Sequence, residues 1–414
     1  MRIAVVGAGI SGMVAAYLLS DSHDVVVFEA NDYLGGHTRT VDVQAGGKTY
    51  AVDTGFIVFN EATYPNFVRL LRRLGVAWKN SRMSFSVRCE RTGLEYCPST
   101  LNSLFAQRRN LFRPAFYRMV LEAFRFRRQS LELLEDRNEG KPLGEYLQEK
   151  KYSTLFVEKF ILPMGAAIWS TDLDRFRQFP GRYFVDFFHN HGFLRMRGQP
   201  QWLVIRGGSR TYVPELTKPY ARQARLNCSV QSIRRQEGYV EVKPKGGATE
   251  RFDQVIIAAH SDQALAMLTD PSEKEREILS AIPYQENVTV LHRDSALLPS
   301  RRSCWAAWNY HIPREPLGRI ALTYDMNILQ GLEAPDEFCV TLNRLQDIER
   351  QKIFDTILYS HPLYTPAGVA AQKRREEISG VRRTYYCGAY WSYGFHEDGV
   401  KSALAVCKHF GKGL

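Results

Sequence analysis

Gly7-Ala8-Gly9-Ile10-Ser11-Gly12 follows a short apolar stretch, Arg2 to Val6, and runs directly into the apolar-faced segment Met13 to Leu19. Twenty-two residues past Gly7, a second apolar run, Val25-Val26-Val27-Phe28, ends in Glu29. Strand, spaced glycines, helix, second strand and acid in that order leave few folds open. Gly7 gives a tight turn, Gly9 lets a ligand approach bare backbone, and Gly12 lets helix and strand pack closely. Unpaired N–H groups at the positive end of the helix attract phosphate. Glu29 accepts hydrogen bonds from ribose hydroxyls, and its charge repels a 2′-phosphate. The N-terminal unit is therefore expected to hold an ADP-containing dinucleotide through Gly7, Gly9, Ser11, Gly12 and Glu29.

The next segments narrow the choice. Leu34-Gly35-Gly36-His37-Thr38-Arg39-Thr40 and Val52-Asp53-Thr54-Gly55-Phe56 follow the acid, and nicotinamide dehydrogenases have no common need for a glycine pair there. With these motifs the chain resembles the amine oxidase, protoporphyrinogen oxidase and phytoene desaturase superfamily of FAD enzymes. The resemblance implies that Gly35 and Gly36 lie along the diphosphate and ribityl chain. His37 stands where that family has arginine, with Arg39 two residues on. The implied contacts extend to Thr54, Gly55 and Phe56, to the backbone of Val230 at the adenine, and to Gly388, Glu397, Asp398 and Val400 around the last helix. Backbone N–H groups at a helix start stabilise negative charge on a reduced flavin. FAD held non-covalently is the expected cofactor, since no spacing among Cys304, Cys387 and Cys407 demands an attachment.

At 414 residues the chain is long for one core. The resemblance implies an α/β fold with a Rossmann-like FAD-binding domain in three segments (1–79, 201–265 and 381–414). An α+β substrate domain, amine oxidase-like, is inserted as 80–200 and 266–380. The seven cysteines are odd in number and scattered, which favours reduced thiols and a cytoplasmic protein. A first strand beginning at residue 2 leaves no room for a secretory signal. The longest nearly apolar run, Phe160 to Trp169, is too short to span a bilayer and reads as a buried wall. One glycine fingerprint of this type is present, so electrons are expected to enter from the substrate and leave to oxygen, a quinone or another protein.

The net charge of +11 is uneven. Seven arginines (108, 109, 113, 118, 125, 127 and 128) and one acid, Glu122, lie between Phe105 and Arg128. Phe112, Phe116, Val120, Ala123 and Phe124 interleave at helical spacing. The segment 105–128 reads as a basic amphipathic helix lying on an anionic membrane surface, with about 1 kcal/mol gained per basic side chain; packing of the phenylalanine stripe in the core is the alternative. A second cluster, Arg182-Tyr183-Phe184 through Phe187, Phe188, Phe193, Arg195 and Arg197, has the same character. No nucleic-acid motif accompanies the charge, so no nucleic-acid partner is expected.

For chemistry at a flavin, Tyr390 and Tyr393, with Trp391 between them, are the candidate substrate wall. His292 and His396 are the candidate bases, because imidazole titrates near neutrality. His189-Asn190-His191 has no evident third ligand, and no metal is expected. Asp53 to Asn60, Pro163 to Ser170 and Gly394 to Gly399 resemble an NAD/FAD-binding branch of the superfamily associated with cyclopropane, methyl-branched and furan fatty-acid synthesis. That resemblance implies an acyl-lipid substrate and a desaturase acting at an allylic position, at the inner face of the membrane. A flavin amine oxidase, and a non-catalytic flavin-bearing partner of a lipid-modifying enzyme, are the alternatives.

Overall fold

The computed structural model describes residues 1–135, 140–195 and 198–414. Arg197 of the second basic cluster lies outside them. The apolar runs that flank the glycine motif become neighbouring parallel strands, Arg2–Val6 and Asp24–Phe28, with Ile3 beside Val25 and Val5 beside Val27. They sit inside a five-stranded parallel sheet in the order Thr384–Tyr386, Gln254–Ile257, Arg2–Val6, Asp24–Phe28, Ala224–Arg225. A strand covered on both faces needs apolar side chains at every position. Ile3 and Val5 pack on the side of the helix Ile10–Leu19, while Ala4 and Val6 pack on the other side with Ile233, Val240 and Phe252. The C-terminal helix His396–Lys408 lies against Ile10–Leu19, with Cys407 Sγ on the Ala15 carbonyl.

A second sheet has seven strands in the order Ile353–Pro362, Tyr284–His292, Cys339–Leu342, Leu322–Asp325, Trp308–Ile312, Phe85–Cys89, Leu94–Tyr96. Its pairings are antiparallel except that between Trp308–Ile312 and Phe85–Cys89. The helices Pro114–Gln129, Leu162–Trp169 and Gly181–Asn190 share a core with it, built on Phe116, Phe126, Trp169, Phe184 and Tyr310. Phe160 to Trp169 is indeed buried for most of its length. Among the described residues no helix is long and apolar enough to cross a membrane.

The segment 105–128 is not one helix. Leu101–Leu104 and Arg108–Phe112 form short turns, and the long helix begins at Pro114. Proline suits a first helical position, and it holds the preceding residue, Arg113, extended. The expected stripe also divides. Phe116 is buried, with Val120 and Ala123 packed against the same core, whereas Phe112 and Phe124 face outward.

The two-stranded hairpin Thr40–Ala45 and Lys48–Asp53, with the residues flanking it, meets the seven-stranded sheet and its helix Met326–Gln330 through three contacts, the first and third of them buried. Asp53 accepts from Thr40 Oγ1 at 2.6 Å and from the Ser209 N–H at 2.8 Å on one side. On the other it accepts from Gln330 Nε2 at 3.1 Å. Arg39 pairs with Asp355 at 3.0 Å, and the Thr54 and Tyr359 hydroxyls are 3.2 Å apart.

Candidate active site at the junction of the sheets

A cavity of about 1930 Å³ runs from the carboxyl ends of the parallel strands to the seven-stranded sheet. Small-molecule pockets hold roughly 300–1,000 Å³, so this one has room for a dinucleotide and a substrate together. Its first end is the glycine motif. Gly7 has φ +98°, and a Cβ there would lie 2.8 Å from the Ala258 carbonyl oxygen. A Cβ on Gly12 would sit 1.9 Å from the Gly7 carbonyl oxygen. The protein itself therefore enforces both glycines. Gly9 is different: a Cβ there meets nothing within 4 Å, because it would project into the cavity. That open cradle at a helix N-terminus fits a diphosphate. Ser11 also lines it.

Glu29 closes this end. One of its oxygens accepts from the Ala8 N–H at 2.7 Å, the other from the Asn31 N–H at 2.9 Å. The carboxylate is thereby fixed with lone pairs left for ribose hydroxyls. The Glu29 carbonyl accepts from the Cys228 N–H at 2.7 Å, which brings Val230 to the cavity wall. The turn Gly35-Gly36 folds back onto the cradle: the Gly35 N–H donates to the Ala8 carbonyl at 2.9 Å, and a Cβ on Gly36 would lie 3.1 Å from Gly9 Cα. His37, Arg39, Gly55, Phe56 and Gly388 line the cavity beyond it.

Six of the expected residues do not line the cavity: Gly12, which serves the close helix–strand packing, and Thr54, Glu397, Asp398, Val400 and His292. Thr54 turns its hydroxyl to the Arg39 carbonyl and to Tyr359, and lies off the cavity. Glu397 accepts from the Asn66 side chain at 2.6 Å and the Phe67 N–H at 2.9 Å, so it caps the helix Pro65–Arg73. Asp398 accepts from the Phe395 N–H at 3.0 Å and caps its own helix; burial raises its carboxyl to about 6. Val400 is core. His292 stands at the end of its strand, fully buried and away from the cavity. Its Nδ1 accepts from the Asp294 N–H at 3.0 Å, so Nε2 carries the proton and donates to Thr341 at 2.7 Å. Burial lowers it to about 4. It is a neutral structural histidine.

Tyr390, Tyr393 and His396 do line the cavity. The Tyr393 hydroxyl donates to Asp186, and the Tyr390 hydroxyl is buried with no partner. Trp391 packs into the core behind them. His396 stacks on Phe56 at 3.5 Å, and its Nε2 lies 3.0 Å from the Thr38 hydroxyl and 3.1 Å from that of Tyr212. Burial lowers it to about 3. Cys304, Cys387 and Cys407 are buried off the cavity, whereas Cys97 and Cys228 line it.

Sequence reasoning missed an imidazole group at the centre. His37, His260 and His361 approach one another, with ring centroids 6.4 Å apart for His37–His260 and 5.5 Å for His37–His361. His37 also stacks on Tyr359 at 4.6 Å, and His260 on Tyr284 at 4.5 Å. His361 Nδ1 accepts from Asn287 Nδ2 at 2.9 Å, so its proton is on Nε2. Burial and the neighbouring imidazoles lower His37 and His361, the latter to about 4; His260 is lowered by burial alone. The group thus offers neutral donors and acceptors without added charge. The alternation Ile357, Tyr359, His361 along one strand is the signal that places two of these residues on one face. His191 also lines the cavity, donating Nδ1–H to the Phe187 carbonyl at 3.0 Å.

A parallel sheet with a glycine turn open to a large cavity at a helix N-terminus and a fixed acid beside it fits a dinucleotide-dependent protein. The chain belongs to the flavin containing amine oxidoreductase family, whose model matches residues 10–292. Members carry a flavin, and the residues described above fit one. A 15-cis-phytoene desaturase of Synechococcus elongatus is 34% identical over 91 residues, 21% of this chain and 18% of that one. The match therefore spans under a fifth of that relative. Among solved structures, the chain is similar to a CLA-producing fatty acid isomerase from P. acnes (TM-score 0.70, 18% identity, 99% and 98% of the two chains). It is also similar to a cyclohexylamine oxidase from Brevibacterium oxydans (TM-score 0.67, 17% identity, 99% of each). These likenesses establish the amine oxidase-like α/β fold.

Proposed function

We propose that the chain is an FAD-dependent desaturase of a methylated, unsaturated acyl chain on a membrane phospholipid, acting from the cytoplasmic side and holding FAD without a covalent bond. The supporting observation is the wall of the cavity beyond the nucleotide. Met83, Phe85, Met164, Ile168, Phe193 and Trp308 line it, and among the described residues its only carboxylates, Glu29 and Asp32, belong to the nucleotide end. An ammonium group would enter without a counter-ion and lose its hydration. A hydrocarbon chain gains about 0.8 kcal/mol per buried methylene. The fatty acid isomerase and the phytoene desaturase are named for unsaturated hydrocarbon chemistry, in keeping with this reading.

Bound FAD would supply the two-electron acceptor for a hydride. The chain's own work is to bind, orient and exclude water. Gly9 and Glu29 hold the nucleotide end, and the neutral imidazoles of His37 and His361 border the middle. Tyr393, fixed by Asp186, and Tyr390 form part of the wall. An allylic C–H is the fitting donor, because delocalisation lowers the barrier. Loss of a proton from the adjoining carbon to solvent or a base leaves a conjugated diene. The electrons then pass to oxygen, a quinone or a protein.

The test is anaerobic. Purified yellow protein mixed with a methylated unsaturated phospholipid is expected to bleach at the flavin band, and a simple amine is expected to leave it unchanged. Bleaching by the amine alone assigns an amine oxidase. A flavin-loaded protein indifferent to both is a non-catalytic partner, and a colourless protein that refuses FAD overturns the redox reading.

A further inference from the structure

The long helix of the substrate half is apolar on two sides. Phe116, Met119 and Phe126 take the core side. Tyr117, Leu121 and Phe124 recur at helical spacing on another face and are exposed, Leu121 to 67%. The preceding turns extend this face, with Leu101 77% and Phe112 86% exposed. Phe105 packs against Phe116 at 5.6 Å and Tyr117 at 5.7 Å, which fixes the first turn onto the helix. Leu111, Phe112, Pro114, Tyr117 and Leu121 surround a shallow groove.

Along 101–130 the exposed charge has one sign. Arg113 and Arg128 continue the line of Tyr117, Leu121 and Phe124 at either end, and Arg108, Arg109, Arg118 and Arg125 are exposed beside it. The one acid from 101 to 130, Glu122, is buried and accepts from Arg118 at 3.0 Å and the Ser153 N–H at 3.1 Å. The cavity wall comes to the surface at the same place, through exposed Ser99, Thr100 and Ser303. Thr100 accepts from the Ser103 N–H at 3.1 Å and so caps the turn that carries Leu101.

We infer that Leu101, Phe112, Tyr117, Leu121 and Phe124 dock on an anionic phospholipid bilayer, and that the opening at Ser99–Thr100 takes acyl chains from it. An aromatic and aliphatic face rimmed by arginine matches the interface, where apolar side chains enter the acyl boundary and guanidinium groups meet headgroup phosphates. The face differs from the stripe that periodicity suggests: the residues that dock are those the core leaves out. The second clause rests on the proposed lipid substrate; the first does not.

Sedimentation with vesicles of saturated phosphatidylglycerol, and with saturated phosphatidylcholine as control, tests docking without any oxidisable substrate. Binding to the anionic vesicles at low salt and its loss on the neutral ones are expected. Phe112→Ser/Leu121→Ser should weaken it at least tenfold, and Arg113→Ala/Arg128→Ala about fivefold per arginine, with helix content and flavin content unchanged. Absence of binding to phosphatidylglycerol, or binding that both double variants retain, overturns the inference. So does a lipid-free dimer that Phe112→Ser/Leu121→Ser abolishes, which would give the face to a second copy. Equal oxidation of detergent-dispersed lipid by wild type and both variants would keep the desaturase reading even where docking fails.

Discussion

Gly9 and Gly12 lie in one motif, yet a methyl group on each has a different fate. Gly9 has extended backbone angles that any residue adopts, and its Cβ would project into open cavity. Gly9→Val should therefore fold and melt like flavin-free wild type but remain colourless after incubation with FAD. Gly12→Ala, with its Cβ 1.9 Å from a backbone oxygen, should fail to accumulate as folded protein. A yellow Gly9→Val would place the diphosphate elsewhere. His292 makes the opposite case. An apolar strand ending in histidine suggests a base, but its partners, the Asp294 N–H and Thr341, make it a fixed strut. His292→Ala should cost about 2–4 kcal/mol by leaving those partners unpaired, with flavin binding retained. The cost has a pH signature. With a folded value of about 4 against about 6.5 unfolded, the unfolded state binds the proton first. The stability that His292 adds is complete above pH 6.5 and shrinks towards pH 4, at up to about 1.4 kcal/mol per pH unit. Urea midpoints of wild type and variant should therefore converge as pH falls from 7.5 to 4.5; parallel curves would contradict the buried, neutral assignment.

Elements differ in how far the chain declares them. The first strand, helix and second strand are legible because their signals are contiguous: apolar run, glycines, apolar run, acid. The helix Pro114–Gln129 is legible in part. Its period is plain, but Pro114 moves its start, and two apolar faces on one helix leave open which one the core takes. The last helix shows a further limit. Acids in a first turn suit both a helix cap and a ligand site, and only the packing of Pro65–Arg73 against it shows that Glu397 belongs to the former. Glu397→Ala should cost about 2 kcal/mol in urea unfolding, through loss of that cap, while flavin affinity stays within a few-fold. A large loss of affinity at unchanged stability would return Glu397 to the cofactor site. The imidazole group was illegible for a simpler reason: His37, His260 and His361 come from three separate segments, and no local pattern joins them.

At the scale of the molecule, the cavity is walled by both sheets, so a dinucleotide filling it would touch segments far apart in the chain. Residues within 6–11 and 28–39 line one end, within 258–267 and 356–364 the middle, and within 388–396 the C-terminal side. The hairpin 40–53 and its flanks already bridge the two sides, through Asp53 with Ser209 on one and Asp53 with Gln330 and Arg39 with Asp355 on the other. Stabilisation at one wall should therefore be felt at the other. A ligand that binds the folded chain alone adds about 2.7 kcal/mol at a hundredfold excess over its Kd. With an unfolding entropy of about 2.1 cal/mol/K per residue, that corresponds to a rise in Tm of about 3 °C for a chain of 414 residues unfolding as one unit. Calorimetry with and without FAD should show one transition moving up by that order, and no movement for Gly9→Val. Two transitions, of which FAD shifts only the first, would mean that the nucleotide sheet melts on its own and that the junction contacts are too weak to couple it to the substrate half.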